Sequence, residues 1–115
     1  MSNLGKLKDY LRSYLMKRVP GHLTLLNILC ISRYNADCIS LALVSPSRLY
    51  SIVLAHYRGD IISTDYAFLL VFINPIIELL KKPELGEELL YLAKTGKDKE
   101  FIELIDKYLS SSEST

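Results

Sequence analysis

Residues 35–59 read NADCISLALVSPSRLYSIVLAHYRG. It contains two apolar runs of helical length that meet at Ser45-Pro46. A serine followed by a proline is a strong helix start, because the hydroxyl can accept from free backbone N–H groups and the fixed φ of proline is already helical. The stretch therefore predicts two short helices joined by a tight turn, one over 36–44 and one from Pro46 to Gly59.

Helical periodicity continues on both sides of this stretch, with no alternating strand pattern and no hairpin turn signal. The remaining predicted helices span Asn3–Arg18, Thr24–Ser32, Ser63 or Thr64 to Lys82, Glu84–Lys94 and Lys99–Leu109. Asn35 is predicted to cap the helix over 36–44, and Pro20-Gly21 to end the first helix. Asn74-Pro75 either kinks the fifth helix or ends it. The fold class is thus all-α: a compact bundle of six to seven short helices, with a C-terminal helical hairpin.

The chain has the length of one ordinary domain. We predict a single helical domain over residues 1–109. Residues 110–115, SSSEST, have no apolar periodicity, and we predict that they form a disordered tail.

The two helices around Ser45 resemble the DNA-binding helix-turn-helix of transcription regulators, over Leu23 to Tyr57. The family pattern places apolar residues where the two helices pack, and here these are Cys38, Ala42, Val44, Leu49 and Ile52. The sequence departs from the pattern at Ile39, where the family prefers a small residue, and at Leu43, where it prefers glycine. Leu43 implies either strain or a differently shaped turn. A helix-turn-helix packing unit without DNA contact has the same pattern.

Charge divides the chain into two halves. Residues 1–58 carry eight Lys or Arg against two Asp, a net charge of +6, and residues 59–115 carry −5. All five arginines lie in the first half, and arginine is suited to bidentate phosphate contact. This asymmetry indicates a nucleic acid or a partner of complementary charge.

The resemblance implies that the second helix enters the major groove with its N-terminal end. The residues that would then face bases and phosphates are Ser45, Ser47, Arg48 and Ser51. Arg48 is the one of these that can make a bidentate contact to guanine. Phosphate neutralisation would come from Lys6, Lys8, Arg12, Lys17, Arg18, Arg33 and Arg58, and DNA is favoured over RNA.

Tyrosines lie beside several of these cations, as in Arg33-Tyr34 and Arg48/Tyr50. Such interleaving suits stacking on unpaired bases, which makes Tyr34 a candidate contact. The alternative is that tyrosines at helical spacing, such as Tyr14, Tyr50 and Tyr57, are half-buried core residues.

Other function classes find little support in the sequence. The two histidines have no evident carboxylate or nucleophile partner, so we predict no enzyme activity and no cofactor. Cys30 and Cys38 occupy apolar helix positions and are predicted to be buried thiols, and the order of the histidines and cysteines does not fit a zinc site, so no metal is expected.

Residues 61–80 have the length of a membrane span but include Asp65, Glu78 and the Asn74-Pro75 break. No signal peptide opens the chain. We therefore predict no membrane contact and a cytoplasmic location. Gln and Trp are absent while Leu, Ile, Lys and Glu are frequent, which is typical of a thermophilic host and suggests an archaeal or viral source.

Together these patterns predict a small nucleic-acid-binding regulator or accessory protein without catalysis of its own. The alternative is a helical subunit, adaptor or inhibitor in a multiprotein or ribonucleoprotein assembly, for example of CRISPR type. It would act through protein contacts, because a chain with one basic and one acidic half can form a homodimer, associate head to tail or bind a charged protein partner.

Overall fold

The computed structural model describes residues 3–113, with the side chains of residues 4–110. Within this part of the chain there are seven helices and no strand, which confirms the all-α fold class. The helices are α1 Asn3–Arg18, α2 Pro20–Tyr34, α3 Cys38–Val44, α4 Pro46–His56, α5 Ile61–Leu80, α6 Gly86–Lys94 and α7 Asp98–Glu113. A 3₁₀ turn, Pro83–Leu85, connects α5 to α6.

Helices α2 and α3 begin at different residues from those predicted. Helix α2 begins at Pro20, because a proline in the first turn has no N–H to leave unpaired, so this residue starts a helix rather than ending one. Helix α3 begins at Cys38, and its N-cap is Asp37, which accepts from the Ser40 N–H at 2.8 Å. Asn35 instead ends α2 in the left-handed conformation, with φ 56°.

Helix α5 begins earlier than predicted and continues through the proline. Asp60 is its N-cap and accepts from the Ser63 hydroxyl at 2.9 Å. The segment Leu69–Ile73 is a π-helix, in which the Asn74 N–H donates to the Leu69 carbonyl. Pro75 has no N–H and its ring crowds the carbonyl four residues earlier, so a wider turn at this point lets the helix continue.

The C-terminal hairpin forms as predicted, although its last helix is longer. Gly96, with φ 77°, follows α6, and α7 buries Phe101, Ile105 and Leu109 along one side. Helix α7 extends to Glu113, so the predicted tail is helical over its first residues. Residues 114–115 of that tail lie outside the described residues.

Helix α4 lies at the centre of the bundle, in contact with α2, α3, α5, α6 and α7. Leu49 and Ile52 of α4 are buried, and each such side chain contributes about 1.5–3 kcal/mol of hydrophobic stabilisation. Cys38 and Ala42 of α3 are buried as the helix-turn-helix pattern requires, whereas Val44 is 74% exposed. Four of the five predicted packing positions are therefore in the core.

Helix α1 packs against α2, α3, α5 and α7 and closes one side of the core. Leu7, Leu11 and Leu15 are buried along one side of the helix, and Tyr14 packs at the edge of the core. Of its cations, Lys8 is half-buried, and the others are exposed: Lys6, Arg12, Lys17 and Arg18.

By length and composition alone, α5 could cross a membrane. In this fold it is a core helix, since Phe68, Ile73 and Ile76 are completely buried against other helices. The cytoplasmic location stays a prediction.

A polar link ties three helices together beside the core. The Tyr50 hydroxyl of α4 donates to Asp65 Oδ1 of α5 at 2.6 Å, and Lys94 Nζ of α6 lies 2.7 Å from Asp65 Oδ2. Both donors are held by one carboxylate, so this site fixes how the three helices pack.

We expect Tyr50→Phe to lower the free energy of unfolding by about 1–2 kcal/mol, because a hydrogen bond to a carboxylate is lost while the ring stays in the core. Urea denaturation at neutral pH measures this change. Tyr66→Phe is the matched control, since Tyr66 is 68% exposed and its hydroxyl has no protein partner among the described contacts. Equal effects of the two substitutions would show that the link contributes nothing to stability.

Candidate nucleic-acid interface

The N-terminus of α4 is closed by a residue from the other half of the chain. Asp98, the first residue of α7, accepts through Oδ2 from the hydroxyls of Ser45 at 2.6 Å and Ser47 at 3.0 Å. Its Oδ1 accepts from the Ser47 N–H at 2.9 Å. Ser45 itself makes no capping bond to α4. Asp98 thus caps the helix, and its charge lies at the positive end of the helix dipole.

This contact changes the predicted role of two residues. Ser45 is only 6% exposed, and the hydroxyls of Ser45 and Ser47 are already bonded, so neither is free to contact bases in this fold. Ser51 is half-buried and donates to the Arg48 carbonyl within its own helix. Of the four residues predicted to face bases, Arg48 is the exposed one.

The turn between α3 and α4 has a different shape from the glycine-containing turn of the family. Ser45, with φ −144° and ψ 78°, makes the turn, and Leu43 has no positive φ. Leu43 is buried instead. The departure at this position therefore reflects a differently shaped turn and not a strained backbone.

The end of α2 and the start of α4 bring two predicted contact residues together, Tyr34 and Arg48. The Arg48 guanidinium lies 5.4 Å from the centre of the Tyr34 ring. Arg33 precedes this tyrosine and lines a cavity of about 220 Å³ together with Ile52 and His56. This end of the α2–α4 pair thus carries one guanidinium group beside an aromatic ring, and Arg33 lies toward the C-terminal part of α4.

Two cations of α1, Arg12 and Lys8, lie close enough to the Asp37 carboxylate to act on its charge. Arg12 lies 3.8 Å from Asp9 and 3.6 Å from Asp37. Burial raises the pKa of Asp37, but hydrogen bonds from Ser40 and the charges of Arg12 and Lys8 outweigh it, so the pKa falls below its usual range. Part of the positive charge predicted for phosphate contact is therefore balanced by Asp37.

The other predicted cations lie elsewhere on the first half of the chain. Arg18 stacks on the Tyr14 ring with its guanidinium 4.0 Å from the ring centre, and the Tyr14 hydroxyl donates to Glu78 at 3.2 Å. Arg58 adopts φ 57° just after α4. Lys6, Lys17 and Arg58 are exposed.

The positions of the tyrosines fit half-buried core residues better than contacts that stack on unpaired bases. Tyr50 is buried, and Tyr14, Tyr34 and Tyr57 are half-buried against the core. Arg48 also stacks on Tyr34 and not on Tyr50, its near neighbour in sequence. Residues two apart on a helix point in different directions, so Arg48 contacts Tyr34 of another helix and not Tyr50.

A histidine pair, which the sequence did not reveal, joins the other ends of α2 and α4. The rings of His22 and His56 have centres 6.2 Å apart, and His22 Nε2 is buried without a hydrogen-bond partner. Burial and the charge of His56 both lower the pKa of His22. The described residues contain no group of three metal-ligating side chains, and Cys30 and Cys38 are free, buried thiols.

We expect Asp98→Ala to lower the free energy of unfolding by about 2 kcal/mol, because it removes the cap of α4 and leaves buried hydroxyls unpaired. Thermal unfolding followed by circular dichroism measures this effect. Asp106→Ala, an exposed position on the same helix, should change stability by less than about 0.5 kcal/mol. A loss at Asp98 no larger than at Asp106 would contradict the capping role.

A second prediction concerns pH. The folded-state pKa of His22 is lowered, so the unfolded chain binds the proton more readily and stability falls as the pH drops below about 6.5. In His22→Leu the difference in unfolding free energy between pH 7.5 and pH 5 should shrink, because the side chain that takes up a proton more readily in the unfolded chain is gone. An unchanged difference would show that His22 does not carry this pH dependence.

No protein-family model matches the chain, and neither the curated proteins nor the solved structures include a significant match to it.

Proposed function

We propose that the protein binds nucleic acid, duplex DNA first, through the phosphate backbone and without catalysis. The observation that carries the proposal is how few of the arginines are paired with carboxylates. Among the described side chains, Arg12 is the one arginine that pairs with a carboxylate, and its partners Asp9 and Asp37 lie in the same half of the chain. The acidic second half therefore does not neutralise the arginines of the first.

Exposed guanidinium groups of this kind suit a polyanion. Arg18 and Arg48 stack on tyrosine rings, which restrains the guanidinium planes and reduces the entropy lost when they contact phosphates. The cations are spread over α1, α2 and the ends of α4, which fits several phosphate contacts along a backbone.

Because Asp98 caps the N-terminus of α4, we propose binding that does not depend on the nucleic-acid sequence. With Ser45 and Ser47 held by Asp98 and the Ser51 hydroxyl bonded within its own helix, Arg48 is left of the four residues predicted to face bases. Phosphate contacts position a protein on nucleic acid but carry no sequence information. We therefore propose affinity that depends strongly on salt and weakly on sequence.

Fluorescence anisotropy with labelled duplex and single-stranded oligonucleotides, between about 50 and 200 mM salt, tests the proposal. The double variant Arg33→Gln/Arg48→Gln should bind at least tenfold more weakly at about 100 mM salt. It should also lower the slope of log affinity against log salt by about 2, close to one per phosphate contact. Lys97→Gln/Lys99→Gln is the matched control in the acidic half, where both lysines are exposed.

Two results would overturn the proposal. One is the absence of binding by the wild type at micromolar protein in about 50 mM salt. The other is an equal loss of affinity in the two double variants, since the cations of the first half would then have no special role.

A second candidate function is that of a subunit or adaptor that acts through protein contacts. A specific observation favours it: the solvent-facing side of α2 is apolar, with Leu25, Ile28 and Ile31 all exposed. A contiguous exposed apolar stripe is typical of a contact surface, whereas single exposed apolar residues are common on any protein.

A further inference from the structure

The cavity between α2 and α4 has a basic lining. Its volume is about 220 Å³, and it is lined by Leu29 and Arg33 of α2 and by Ile52, Ala55 and His56 of α4. Arg33 and His56 are the polar residues of this lining, and the other three are apolar. A cleft that combines charge of one sign with apolar walls concentrates the electric field, so this cavity attracts an anion.

No carboxylate of the two helices competes for these side chains. Neither α2 nor α4 contains an Asp or a Glu. The acids that follow them in the sequence are bonded elsewhere, since Asp37 pairs with Arg12 and Asp60 caps α5. Within the part of the chain that the structure describes, neither Arg33 nor His56 has a hydrogen bond or an ion pair. The donors of both residues are therefore available to a ligand.

The ionisable groups beside the cavity are also basic. The His22 ring centre lies 6.2 Å from that of His56, and Arg58 is exposed two residues beyond His56. A pair of histidines could suggest a metal ion, but a divalent cation here would meet the guanidinium of Arg33. The surroundings therefore favour an anion over a metal ion.

A phosphate group at the end of a strand matches this lining. The planar guanidinium of Arg33 can donate to two phosphate oxygens at once, and an imidazole keeps a ring N–H donor in either charge state. A terminal phosphomonoester has a charge of about −1.5 to −2 at neutral pH and is bonded to the strand on one side only. A phosphodiester within the strand is bonded on both sides, so it can reach the mouth of the cavity but cannot enter it.

We infer that the cavity between α2 and α4 binds the terminal phosphate of a nucleic-acid strand, with Arg33 and His56 as the donors and Leu29 and Ala55 as apolar walls. This inference deepens the proposed nucleic-acid binding, on which it rests, by naming the group that enters the cavity. A free phosphate ion offers the same chemistry, so the experiment includes it as a separate probe.

Fluorescence anisotropy with internally labelled duplexes tests the inference. The duplexes have one sequence and carry a 5′-phosphate, a 3′-phosphate or only hydroxyls at their ends, in a buffer without phosphate. The wild type should bind a phosphorylated duplex about tenfold more tightly than the hydroxyl duplex, because the cavity adds hydrogen bonds to a charged group.

Two variants should abolish this preference for different reasons. Arg33→Gln removes the guanidinium, whereas Ala55→Leu fills the cavity and leaves every charge in place. Arg58→Gln is the matched control: Arg58 does not line the cavity, so its loss should weaken binding to all the duplexes by the same factor. All three positions are exposed, so the variants should fold, which circular dichroism checks.

Inorganic phosphate distinguishes the two sources of the ligand. Its binding is followed through the NMR resonances of the His56 ring, which should shift as the cavity fills. The free ion should bind at least about tenfold more weakly than the phosphorylated duplex, because it lacks the other phosphate contacts of the strand. Equal affinities would assign the cavity to a free phosphate ion and overturn the inference.

Two further results would overturn it. Equal affinity of the wild type for phosphorylated and hydroxyl duplexes would exclude the terminal phosphate as the ligand, while the proposed binding to internal phosphates would stand. A preference that survives in Ala55→Leu would place recognition of the strand end outside the cavity. If no duplex binds at all, the proposed function itself fails, so the two failures are distinguished.

Discussion

A helix in the middle of a bundle needs partners for the backbone N–H groups of its first turn, and here the Asp98 carboxylate supplies the partner of the Ser47 N–H while the Ser45 carbonyl accepts from Arg48 and Leu49. Helix α4 contacts five other helices, and Ser45 and Pro46 at its N-terminus are buried. Asp98 satisfies the Ser47 N–H and two hydroxyls at once. An unpaired buried donor costs about 1–3 kcal/mol, so the position of α7 over α4 is set by this contact as much as by apolar packing.

The same contact differs from what the predicted helix-turn-helix arrangement requires. A recognition helix has to present its N-terminal turn to the major groove, whereas this helix turns that end toward α7. Cys38, Ala42 and Leu49 are buried, as the predicted motif requires, and the surface that we propose for nucleic acid lies around the end of α2 and along α1. Local helix packing and exposure of the helix end are therefore independent properties.

Most of the fold could be predicted from local patterns, and the errors have definite physical reasons. The bounds of α1 and the buried stripe of α7 follow from apolar spacing alone. Pro20 and Asn35 were misread because proline can end one helix or begin the next, and asparagine suits both a C-cap and an N-cap. Packing between segments that are distant in the sequence determines whether each of these residues begins or ends a helix.

The candidate site was less predictable for a different reason. The bonds from Asp98 to Ser45 and Ser47 join residues more than fifty positions apart, and the stacking of Arg48 on Tyr34 joins two helices. Neither has a signature in sequence spacing. Residue type did identify which side chains are cationic and exposed, but not which of them have neighbours that occupy or restrain them.

The π-helix in α5 decides which side of that helix is buried. At about 100° per residue, a regular α-helix would place Ile76 and Leu80 some 80–120° around the axis from Phe68. The wide turn absorbs roughly one residue, which brings Thr64, Phe68, Ile76 and Leu80 back into a single angular sector, and all four are buried. The wide turn before Pro75 thus rotates the second part of the helix, so that the same side of α5 faces the core before and after the turn.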